Sequence, residues 1–79
     1  MPTILIIEGF RFFFFSNEGN EPPHIHVEKD NALAKYWLTP TVTLAKSYGY
    51  NSVELNKMLK LVEQNSELFK EKWYGYFGR

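Results

Sequence analysis

The sequence predicts an α+β fold: an N-terminal antiparallel sheet of four or five strands, built as two hairpins, packed against one kinked helix or two helices at the C-terminus. Three observations predict it. The front half carries short β-branched and aromatic runs separated by two-residue breaks. The back half, from Asn51 onward, repeats apolar residues at helical spacing. Pro22-Pro23, Pro40 and Gly49 punctuate the chain where neither pattern runs.

The first hairpin comes from Ile4 to Ile7 and Phe10 to Phe15, with Glu8-Gly9 as its turn. That turn sets Ile7 opposite Phe10 and Leu5 opposite Phe12. Leu5, Ile7, Phe10, Phe12 and Phe14 then share one face, and Ile4, Ile6, Arg11, Phe13 and Phe15 the other. Both faces are largely apolar, so the hairpin is expected to be covered on both sides. The loop Ser16 to Pro23 is composed of turn formers. Pro23 holds Pro22 extended, so the chain enters the next strand already straight.

That strand, His24 to Lys29, begins the second hairpin. Asp30-Asn31 is its turn and Ala32 to Leu38 its return, ended by Pro40. Thr41 to Ala45 is a candidate fifth strand, with an edge open to another chain. Asn51 with Glu54 forms an Asn-led capping box. Val53, Leu55, Met58, Leu59 and Val62 follow at helical spacing, continued by Phe69, Trp73, Tyr76 and Phe77. A single helix from Ser52 to Phe77 would be about 39 Å long. One domain over residues 1–79 has a radius of gyration of only about 12 Å. A break is therefore expected near Asn65-Ser66. Trp73, Tyr74, Tyr76 and Phe77 are expected to pack onto the sheet, and Lys57 and Lys60 beside Glu54 and Glu63 to form a solvated helix face.

Composition narrows the chemistry. The 79 residues include no Cys, which excludes disulfides, Cys-based zinc sites and thiol nucleophiles. A reducing, cytoplasmic setting fits that absence. Nine basic and nine acidic side chains balance, which argues against binding nucleic acid through bulk charge. The opening apolar run is too short for a signal peptide, and no stretch approaches a membrane span, so no membrane partner is expected.

Chemistry concentrates on one strand. Alternation along His24 to Glu28 turns Ile25 and Val27 to the core and His24, His26 and Glu28 to the opposite face. Across the Asp30-Asn31 turn, His26 falls opposite Lys35, His24 opposite Trp37 and Glu28 opposite Leu33. The resulting patch of His24, His26, Glu28, Lys35 and Trp37, joined by Arg11 and Phe13, supports three functions. His24 and His26 could act as general acid and base on RNA, with Lys35 or Arg11 stabilising phosphate charge. Trp37 and Phe13 could stack bases while Arg11 and Lys35 contact phosphate. A divalent metal is the poorest fit, because Glu28 stands about 7 Å along the strand from His26; no metal and no cofactor is assigned. Against all three stands an architectural role, in which His24 bonds loop carbonyls and pins Asn17 to Glu21, and His26 pairs with Glu28 or caps a helix end packed over the sheet. The Phe12 to Phe15 run reads as core and sheet cover, and Ser16 to Asn20 lacks the Lys-Ser/Thr of a phosphate loop.

At Gly9-Phe10-Arg11-Phe12-Phe13-Phe14-Phe15-Ser16-Asn17-Glu18 and Pro22-Pro23-His24-Ile25-His26-Val27-Glu28 the chain resembles the small bacterial proteins called domain of unknown function 4160. The resemblance extends through Ala34 to Leu38, Leu44-Ala45, Gly49-Tyr50 and Trp73 to Phe77, with Pro22, Pro23, His24 and His26 as hallmark positions. It implies a small protein often encoded beside another, in gene pairs resembling toxin–antitoxin modules. The leading expectation is therefore a component of such a two-gene module that binds the neighbouring gene's protein product, with RNA as a further partner. A small His-dependent RNA hydrolase or RNA-binding domain is the alternative, and an interaction scaffold with purely structural histidines the third. Enzymatic activity, a toxin or antitoxin role and homo-oligomerisation stay open at this level.

Overall fold

Two-residue turns close the alternating apolar runs into hairpins, and here the two hairpins lie side by side as a meander. The computed structural model describes residues 3–15 and 19–78. Its strands are β1 (Thr3–Ile7), β2 (Phe10–Phe13), β3 (His24–Lys29), β4 (Ala32–Trp37) and β5 (Thr43–Tyr48). They form one antiparallel sheet in the order β1-β2-β3-β4-β5. Two helices follow, α1 (Ser52–Gln64) and α2 (Ser66–Phe77), so the expected α+β arrangement has five strands and two helices.

The turns behave as their residues require. Glu8 and Gly9 both take positive φ, 52° and 84°, the combination that matches a two-residue turn to the twist of its strands. Asp30 alone takes positive φ in the second turn. The expected registers follow: Ile7 opposite Phe10, Leu5 opposite Phe12, His24 opposite Trp37, His26 opposite Lys35 and Glu28 opposite Leu33. Ile4 departs from expectation. The register shifts between Thr3 and Leu5, so Thr3 faces Phe13 while Ile4 packs against the core.

The fifth strand runs over Thr43–Tyr48 rather than Thr41 to Ala45. Around the cis Thr39-Pro40 bond the chain bends through residues 39–41, and half-buried Val42 packs against the core. Gly49 ends the strand at φ 86°, where a Cβ would lie 3.0 Å from that of Ala32. A bulge shifts the β4–β5 register between Lys35 and Tyr36, so that Lys35 faces Lys46 and Tyr36 faces Leu44, with Ala45 as the extra residue.

The capping box forms as expected: the Glu54 amide donates to the Asn51 side chain at 2.8 Å, and the Asn51 amide to the Glu54 carboxylate at 3.1 Å. Asn65 separates the helices but does not cap α2. Its side-chain amide donates back to the Leu61 carbonyl at 2.9 Å. The break folds 25 helical residues, 13 in α1 and 12 in α2, into a molecule only 34 Å in its longest dimension. Met58, Val62, Phe69 and Trp73 are buried with Phe10, Phe12, Phe14, Ile25, Val27, Tyr36 and Leu38 in one core. Val53 and Tyr74 point outward instead, and Tyr76 is half exposed while its ring still meets Phe14. Lys57 and Lys60 are exposed as expected, and Lys57 also pairs with Glu8 in the first turn. Of the expected loop Ser16 to Pro23, residues 19–23 form no helix or strand, and Ser16 to Glu18, the Met1-Pro2 start and Arg79 lie outside the described residues.

Candidate functional site

The helices cover one face of the sheet; the candidate residues lie on or beside the other. Strand alternation brings Arg11, Phe13, His26, Glu28, Lys35 and Trp37 together there, as the hairpin registers require. The patch is not the open surface that alternation suggests. His24 and His26 are both buried. Phe15, just past β2, sets its ring edge-on to His26 at 4.8 Å and to Phe13 at 5.3 Å, roofing both. Phe13 stacks on His26 at 5.4 Å. On the other side, the His24 ring meets Trp37 at 5.6 Å, Trp73 of α2 at 4.7 Å and His26 at 5.1 Å. Trp73 reaches His24 because it packs at the β3 terminus, where Phe14 also meets it at 5.4 Å. Nothing in the strand pattern of residues 24–28 signals that contact.

The bonds of these residues describe bracing. The Nδ1–H of His24 donates to the Pro22 carbonyl at 3.0 Å. A carbonyl oxygen only accepts, so this bond places the proton on Nδ1. It ties the strand to the Pro-Pro entry that precedes it. Glu28, expected in line with the histidines, instead holds Arg11 at 2.9 Å. The Arg11 guanidinium also donates to Thr3 at 2.9 Å and lies 4.4 Å from the centre of the Phe13 ring. The Lys35 ammonium pairs with Glu21 at 2.8 Å and sits 4.4 Å above Trp37. Among the described residues, no group of three or more His, Asp or Glu side chains is arranged to hold a metal ion.

Two grooves flank β5. On the outer face, a groove of about 450 Å³ is lined by Phe15, Glu21, His26, Lys35, Lys46 and Tyr48. On the helix side, one of about 300 Å³ is lined chiefly by Tyr36, Val42, Leu44, Leu55 and Leu59. Every residue of β5 is exposed, including Leu44 at 44% and Tyr48 at 74%. Lys46 and Tyr48 escape sequence reasoning because a strand drawn at Thr41 to Ala45 stops short of them. The signal was present: Gly49 marks the terminus, and Thr43 to Tyr48 is the six-residue run before it. Glu21 falls in the Ser16 to Pro23 loop, and its pairing with Lys35 is a tertiary event.

Near the β3–β4 turn, the Tyr50 hydroxyl shares its single proton between the Val27 and Ala32 carbonyls, each at 3.3 Å. The Tyr36 hydroxyl donates to the Leu55 carbonyl of α1 at 2.9 Å. Burial pushes both phenols up to about 12, with the Glu54 carboxylate adding to the effect at Tyr50. The Tyr50 bonds tie the segment before α1 to the β3–β4 hairpin, and the Tyr36 bond ties the sheet to α1.

No helix among the described residues is long and apolar enough to cross a membrane. Searches of the curated proteins and of the solved structures found no match. The family model described as "Domain of unknown function (DUF4160)" matches residues 9–74, from the first turn to the last turns of α2, and the chain belongs to that family.

Proposed function

We propose that this chain is a partner-binding component of a two-gene, toxin–antitoxin-like module, and that the free edge of β5 is the surface it offers. One observation carries the reading: β5 ends the sheet with all six of its residues exposed. An edge strand presents unpaired amides and carbonyls, a template for another strand. Lys46 and the bulge at Ala45 discourage indiscriminate pairing yet leave the ladder accessible. The opposite edge, β1, is less open, because Ile4, Leu5 and Ile7 are half-buried against the core.

The test is co-expression with the neighbouring gene product, followed by affinity purification and amide hydrogen exchange. Co-purification with slowed exchange over residues 43–48 is expected. Failure to co-purify, or protection confined to other elements, refutes the reading.

The complete burial of His24, and the cover of Phe13 and Phe15 that leaves only an edge of His26 at the outer groove, support a bracing role in preference to general acid–base chemistry, which needs a side chain within hydrogen-bond reach of substrate. RNA incubated with the protein, with and without chelator, is expected to remain intact; cleavage lost in a His24→Ala/His26→Ala variant would reverse that preference.

A further inference from the structure

Resting on the β5 reading, we infer the chemistry of the segment that pairs there: an extended stretch of a partner protein in which acidic residues alternate with apolar ones. A strand added beyond β5 lies about 4.8 Å from it, and its side chains project alternately to the two sheet faces. Those faces differ beside β5. On the helix side, Leu44 stands next to Val42, Leu55 and Leu59 around an apolar groove. On the outer side, Lys46 stands directly opposite Lys35.

Like charges placed opposite one another across strands are unfavourable. Here one of the two is already satisfied: Lys35 holds Glu21 at 2.8 Å and rests on Trp37. Lys46 makes no ion pair among the described residues, and it lies at the margin where the incoming strand arrives. An acidic side chain on that strand, facing outward beside Lys46, completes a row of carboxylate, ammonium, ammonium and carboxylate from Glu21 through Lys35 and Lys46. The next residue of the same strand turns inward to the leucine groove. Acidic–apolar alternation thus follows from two different surfaces on one edge.

A second copy of this chain fits poorly. In a symmetric antiparallel pairing both copies keep the same face outward. Registers that overlap most of β5 then bring the two Lys46 ammoniums directly or diagonally together.

The test uses short fluorescent peptides of strand length, read by anisotropy against the full chain. One alternates Glu and Val, a second alternates Lys and Val, and a third holds the Glu and Val of the first in two blocks. A single-stranded RNA of similar length is the fourth probe. The Glu/Val alternating peptide is expected to bind at least about tenfold more tightly than the others, and Lys46→Glu to reverse the order of the two alternating peptides. N-methylation of every second amide is expected to abolish binding in one phase and spare it in the other, because only alternate amides of a strand face the ladder.

Equal binding of the Lys/Val or block peptide overturns the acidic–apolar inference; if N-methylation still discriminates by phase, the edge reading survives it. RNA as the tightest probe overturns the inference in favour of a nucleic-acid surface. Absence of binding by every probe also overturns it, and the neighbouring product's co-purification then decides separately whether partner binding stands.

Discussion

Replacing His24 by alanine separates a brace from a reactive group. The substitution removes a fully buried ring that meets Trp73 at 4.7 Å and Trp37 at 5.6 Å, and it leaves the Pro22 carbonyl without its Nδ1–H donor. The hydrogen bond contributes about 0.5–1.5 kcal/mol. Each ring contact adds about 0.5–1.5 kcal/mol beyond the area it buries. Taken near the middle of those ranges, the loss is about 3 kcal/mol. For a domain of 60–100 residues each kcal/mol moves the melting temperature by roughly 4–8 °C, so His24→Ala is expected to lower it by roughly 12–24 °C. His24→Phe keeps a ring against the tryptophans and loses only the hydrogen bond, so it is expected to fall by about a third as much. The assay is thermal unfolding followed by near-ultraviolet circular dichroism, which reports the two tryptophans. A melting temperature within about 4 °C of wild type for His24→Ala corresponds to less than about 1 kcal/mol and would refute the bracing argument.

Other outcomes follow from the same contacts. Asn51→Ala removes half of the capping box and is expected to cost about 1 kcal/mol in urea unfolding; an unchanged midpoint would mean that α1 does not depend on its cap. Gly49→Ala forces a side chain into positive φ with its Cβ 3.0 Å from that of Ala32, and on the order of 1–3 kcal/mol of destabilisation is expected by the same measurement. Tyr36→Phe leaves the Leu55 carbonyl without its donor and is expected to lose about 1 kcal/mol. Tyr36 and Tyr50 ionise near 12 when folded, against 10 for a free phenol, so the folded chain keeps protons that the unfolded chain releases. Stability is therefore whole below pH 10 and declines as pH rises from about 10 to 12. A denaturant midpoint that stays flat across that window would contradict the burial argument.

Much of the sheet was legible because its rules are local. Glu8-Gly9 and Asp30-Asn31 are two-residue turns, and a two-residue turn leaves one register; the pairings of His24 with Trp37 and His26 with Lys35 follow from counting. Asn51 and Glu54 announce a helix start by mutual hydrogen bonding, which needs no distant partner. Where local rules were interrupted, legibility ended. The bulge at Ile4 turns that side chain to the core, and an extra residue in one strand cannot be seen from alternation. At β5 the bend after Pro40 moves the strand two residues downstream, which brings Lys46 and Tyr48 onto the edge.

The sequence by itself determined the α+β class, the two hairpins and their internal registers, the break near Asn65 and the side of β3 on which Ile25 and Val27 lie, because periodicity and turn chemistry act over a few residues. Only the tertiary structure decided that the histidines are enclosed. Their burial depends on Trp73, nearly fifty residues away in the chain, and on Phe15 folding back across the sheet. It also left β5 exposed, because the main helix–sheet contact is between α2 and β3, in the middle of the sheet. Alternation assigns a side chain to a face; whether that face meets water depends on which distant elements come to rest against it.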